Sequence, residues 1–150
     1  IRHEVIVFDM ARFLGYGERA LGLVSRLTTH ETAHILMHKR WPVLAEDVPY
    51  RQQLQHLCFD EGFAHLLACG EAIASFDFGG WVDQHWEPSL QKLREALACT
   101  DPEKQQECLI RANAGPYWEK FACITGKLYL AQHRDQLFSI YSEGPDRFLP

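Results

Sequence analysis

Residues 18–39 read ERALGLVSRLTTHETAHILMHK, and the fold is decided there. The stretch has no proline, and Leu21, Val24, Leu27 and Thr28 recur three and four positions apart, the period of an α-helix. Near its end stands His30-Glu31-Thr32-Ala33-His34. On a helix, residues four apart stack on one face, so both imidazoles can aim a nitrogen at a single point. A zinc ion about 2.0–2.1 Å from each nitrogen would satisfy them. Glu31 projects about 100° round from His30, beside such an ion and not on it, where it can take a proton from a zinc-bound water. A shuffled chain of this composition contains HExxH only about 3% of the time, so pattern and helical placement together point to metal chemistry.

Upstream, residues 3–10 (HEVIVFDM) are apolar and β-branched, which predicts a strand that Gly15-Tyr16-Gly17 separates from the helix. Downstream, Pro42 and Pro49 bracket a loop that cannot continue the helix. A second long helix is predicted over residues 51–74, with Leu54, Cys58, Glu61, His65 and Ala68 along one face. Residues 75–88, rich in glycine and aromatic side chains, read as a loop walling a cleft. Thr100-Asp101-Pro102-Glu103 opens a helix and Gly115-Pro116 closes it. Further helices are predicted over residues 117–132 and 135–141, before a frayed tail at Gly144-Pro145. The expected fold class is mainly α (α+β): one helical domain over residues 1–150 with a small N-terminal strand or sheet remnant. The sequence starts at Ile1 without an initiator Met, so an N-terminal part of the full chain is expected to be missing.

Composition narrows the function classes. The 150 residues carry 15 Lys plus Arg against 20 Asp plus Glu, a formal charge of −5, which argues against a nucleic-acid-binding surface. No apolar run approaches the roughly 20 residues that span a bilayer, so no membrane partner is expected. Five cysteines cannot all pair within one chain; they read as reduced core thiols and suggest a cytoplasmic location. Ser25, Ser75 and Ser139 lie in no G-x-S-x-G context, which leaves a serine hydrolase without support.

A catalytic zinc usually has three protein ligands and one open position. Glu61, within Asp60-Glu61-Gly62-Phe63-Ala64-His65, is the candidate third ligand. It shares the inward face with Leu54, Cys58 and Ala68, where a bare carboxylate is costly unless paired or bound to a metal. His65, one turn on, is an alternative ligand, and His38 extends the histidine row beyond His34. A ligating histidine needs a partner for its other nitrogen; Asp60 and Asp77 are the candidates.

HExxH on one helix, followed by Glu within an E-G-x-A-type segment on the next, resembles the gluzincin branch of zinc metallopeptidases, and within it a set of bacterial predicted zinc-dependent proteases. The resemblance rests on residues 30–34 and 60–64. It implies a zincin-like domain with Zn2+ held by His30, His34 and Glu61, Glu31 as general base, and a peptide or protein as substrate. It further implies that the N-terminal strand could pair with an extended peptide. It also asks for an oxyanion donor from a later helix, and Tyr117 stands in the corresponding place. Tyr129, His85 and His133 are weaker candidates. The chain departs from the thermolysin-like pattern at His65, where an acid often stands.

The expected activity is therefore that of a zinc-dependent hydrolase acting on peptides. The alternatives are a catalytically inactive zinc-bearing peptide-binding module derived from a metallopeptidase, and a helical interaction domain in which HExxH is coincidental.

Overall fold

The computed structural model describes residues 5–45 and 47–148, and helices account for its regular structure. They are α1 (Met10–Phe13), α2 (Ala20–Arg40), α3 (Tyr50–Leu67), α4 (Gly79–Leu97), α5 (Pro102–Asn113), α6 (Phe121–Gln132) and α7 (Leu137–Glu143). Short 3-10 turns lead into α2, α6 and α7 and follow α3 and α7.

α3 and α6 form the centre: α6 is apolar almost all round, the pattern of a helix covered on every side, and α3 packs along it. From Phe121 to Ala131 only Tyr129 is not buried, and α3 buries Leu54, Cys58, Phe59, Phe63, Ala64 and Leu66. Their backbones meet at two glycines. A methyl group on Gly62 would stand 2.7 Å from the Gly126 carbonyl carbon, and one on Gly126 would run into the Cys58 carbonyl oxygen. Gly62, next to Glu61, is thus explained by close packing of the two helices. α2 and α5 lie against α3, and α4 against α6.

The start and end of α5 follow the sequence. Asp101 caps it by accepting hydrogen bonds from the Glu103 and Lys104 amides, Pro102 occupies the first turn, and Gly115, at φ +97°, follows its end. The five cysteines are free, with Cys58 and Cys123 buried and the other three partly so.

Four expectations need correction. His3 and Glu4 of the expected strand lie outside the described residues; Val5–Asp9 has no regular structure, and no strand occurs among the described residues. A single strand has nothing to pair with, and the Asp9 side chain accepts a hydrogen bond from the Ala11 amide to start α1 instead. α2 forms as expected and buries Ala33 and Met37, while Leu21 near its start is 83% exposed. The second long helix stops at Leu67 and gives way to a 3-10 turn over Gly70–Ala74.

The expected aromatic loop over residues 75–88 contains the first half of α4. Asp77 accepts a hydrogen bond from the Gly79 amide at 2.8 Å, and Pro88 sits inside the helix. The missing proline N–H is tolerated because Leu90, Leu93 and Ala96 bury one face beyond it. Nor does the described part of the tail, up to Phe148, fray. Pro145–Arg147 forms a 3-10 turn, and Phe148 is buried against Phe59 and Tyr129. Gln55 of α3 holds this tail by donating to the Asp146 carbonyl at 2.7 Å.

Candidate metal centre

His30 and His34 stand one turn apart on α2, at the level of its two buried residues, and Glu61 faces them from α3. The Nε2 atoms of His30 and His34 are 3.0 Å apart. His30 Nε2 lies 3.6 Å from one Glu61 oxygen, and His34 Nε2 lies 3.8 Å from the other. Two ligand atoms about 2.0–2.1 Å from a tetrahedral zinc would be roughly 3.3 Å apart. The three side chains therefore have the spacing of a group that could hold a metal ion.

Each donor is oriented from behind. His34 Nδ1 is 2.9 Å from Asp60 Oδ2, which leaves Nε2 facing the cluster. His30 has a hydrogen bond to the backbone of Ala64. Asn113, the last residue of α5, donates from Nδ2 to Glu61 Oε1 at 2.7 Å. The Asn113 amide is itself fixed, because the Cys123 thiol donates to its Oδ1 at 3.0 Å. Asp60 also meets His38 Nε2 at 3.1 Å, so one carboxylate ties two successive turns of α2 to α3.

Charge follows from this arrangement. Burial would raise the Asp60 carboxyl, but hydrogen bonds and charge from His34 and His38 outweigh it and hold it below the usual carboxylate range. Burial raises Glu61 above its usual range, against the pull of His34 and Asn113. Burial lowers His30, and the neighbouring His34 lowers it further. Burial also works against His34, but Asp60 and Glu61 keep it raised. His65 is pushed down to about 3 by burial and by His30, Lys120 and Lys127, so its ring is neutral at ordinary pH. Its Nε2 lies 3.5 Å from Glu61, and with Glu61 and Cys123 it forms a second potential ligand group. A third comprises His34, His38 and Asp60.

Two grooves flank α2. One, of about 720 Å³, is lined by His30, Glu31, Glu61, His65 and Tyr117 among others. The other, of about 730 Å³, runs under Val5–Asp9 and is lined by Phe8, Phe13, Leu27, Ile35 and His38. Glu31 borders both, beside the ligand cluster. The Tyr117 ring meets His65 edge to face at 5.5 Å, and burial raises its phenol above the ordinary range.

The other tyrosine and histidines proposed for the same role are elsewhere. Tyr129 packs on Phe148, His133 Nδ1 bonds the Tyr129 carbonyl, and His85 stacks on Trp118. The Asp77 carboxylate accepts from the Gly79 amide at the start of α4, away from the histidines.

Three residues escaped the sequence reading. Asn113 carries no signal beyond its place before Gly115-Pro116. Cys123 read as a plain core thiol. Lys127, 3% exposed, lines the same groove as Glu31, and its signal was available: it is the only charged residue between Phe121 and Ala131.

No helix among the described residues is long and apolar enough to cross a membrane. No family model, curated protein or solved structure matches the chain.

Proposed function

We propose that this chain is a zinc-dependent hydrolase that cleaves peptide bonds, a zincin-like helical domain in which His30, His34 and Glu61 hold the metal. The observation that carries the reading is convergence. Two Nε2 atoms 3.0 Å apart on one helix face both oxygens of a buried carboxylate on the next, and an aspartate fixes one of the rings from behind. A histidine pair built only for packing needs no such carboxylate opposite it.

Zinc, when bound, supplies Lewis acidity, acidifying a water and polarising a carbonyl. The remaining work falls to side chains. Glu31, at the edge of the groove and next to the ligands, takes the proton of the attacking water and returns it to the departing amine. Tyr117, lining the same groove, donates a hydrogen bond to the carbonyl oxygen as charge develops there. Asp60 keeps His34 in the tautomer that leaves Nε2 free.

Glu31→Gln separates binding from chemistry. The variant is expected to retain zinc at the stoichiometry of the unaltered chain while losing hydrolysis of a denatured-protein substrate by a factor of roughly 100 or more. A purified chain that rejects added zinc would end the proposal.

One observation favours the inactive-module reading. Among the described residues no strand lies beside the groove to pair with an extended peptide. Peptide binding without turnover in the zinc-loaded chain would select that reading; hydrolysis that a chelator stops would select the enzyme.

A further inference from the structure

The wall of the groove beyond Tyr117 is cationic. Lys127 is 3% exposed, yet it lines the groove together with Lys120 and Arg26. Its Nζ donates to the Tyr117 hydroxyl at 2.8 Å and lies 4.3 Å from the centre of the Trp81 ring. No carboxylate among the described residues pairs with Lys127, Lys120 or Arg26. A buried ammonium ordinarily has a carboxylate partner, because burial without one is costly. Here its partners are the neutral Tyr117 hydroxyl and the face of the Trp81 ring, and Lys127 lines a groove of about 720 Å³.

We infer that Lys127, with Lys120 and Arg26 around it, binds a carboxylate of the substrate peptide. This rests on the proposed hydrolase for the reaction but not for the anchor. Tyr117 links the two parts, since its ring packs on His65 of the ligand cluster and its hydroxyl meets Lys127. A carboxylate held at Lys127 therefore lies close to a carbonyl placed at the cluster. That spacing suits the free C-terminus of a peptide cut near its end, and an acidic side chain beside the cut bond carries the same chemistry. Lys127 is a specificity residue in this account, and Tyr117 positions it.

Three N-acetylated tetrapeptides test the inference: Ala-Ala-Ala-Phe as the free acid, the same peptide as the amide, and Ala-Ala-Glu-Phe as the amide. Each is titrated calorimetrically into the zinc-loaded Glu31→Gln chain, which binds without turnover. At least one carboxylate peptide is expected to bind roughly tenfold or more tightly than the neutral amide, the size of a charge-assisted hydrogen bond. Which of the two does so identifies terminus or side chain.

Lys127→Met should abolish the preference, while Lys127→Arg should retain it. Equal binding of the neutral amide and both carboxylate peptides by the Glu31→Gln chain, or binding of none of the three, overturns the inference without requiring any lysine variant to fold. The two proposals fail separately. Zinc binding and hydrolysis with no carboxylate preference sink the anchor alone. A carboxylate preference in a zinc-free chain that takes up no metal sinks the hydrolase alone.

Discussion

The crossing of α3 and α6 and the first half of α2 are opposites in how they are held. At the crossing, two backbones meet through Gly62 and Gly126, and Leu54, Cys58, Cys123, Ile124 and Leu128 are fully enclosed. Along the first ten residues of α2 none is buried, and a groove opens on each side. The candidate metal centre sits where the two meet. Glu61, Asp60 and Asn113 come from the packed side, while Glu31 projects from α2 at the edge of the grooves. The lesson is a division of labour. Ligand spacing has to be held to fractions of an ångström and is anchored in the packed half, while access for a substrate comes from the half left uncovered.

This contrast can be broken most severely at the crossing. Gly126→Ala forces a methyl into the Cys58 carbonyl and is expected to cost about 3 kcal/mol or more, read as a drop in the urea midpoint. The link between the halves comes next. Asp60→Asn removes the charge that orients His34 and should weaken zinc binding about 10- to 100-fold by competition with a chromogenic chelator.

Thiol reactivity gives a smaller but sharper reading. Burial pushes Cys58 up to about 12, whereas an unfolded thiol ionises near pH 8.5. Its contribution to stability is therefore complete below about pH 8.5 and falls as pH rises towards 12. At pH 8.5 iodoacetamide should spare Cys58 and Cys123 in the folded chain and modify them once urea unfolds it, as peptide mass mapping would show. At the other extreme, Leu21→Ala on the uncovered half should change stability by no more than about 0.5 kcal/mol, since Leu21 is 83% exposed.

Much of the candidate site was legible because helical spacing is rigid. His30 and His34 share a face by arithmetic, and Glu61 was recognisable as a carboxylate on an apolar stripe. Asp60 was harder to read. Neighbours in a helix point about 100° apart, and only a helix covered on several sides, as α3 is, can turn two successive acids towards α2. Asn113 was invisible because it reaches Glu61 across 52 positions of sequence. The loop assignment for residues 75–88 failed because Gly79, Gly80 and Pro88 are strong local breakers, and the packing of α4 on α6 overrode them. The strand assignment failed in the opposite direction: among the described residues no strand pairs with the β-branched run, and the Asp9 cap turns the chain into α1.

The central claim is that two turns of α2 and one carboxylate of α3 close around a single cation. Crystals of the zinc-loaded chain, measured on both sides of the zinc absorption edge, test it directly. The account predicts one anomalous peak per chain, within bonding distance of His30 Nε2, His34 Nε2 and a Glu61 oxygen, with Asp60 still on His34 Nδ1. A zinc-soaked crystal without that peak, or with the metal between His38 and Asp60 instead, would contradict it.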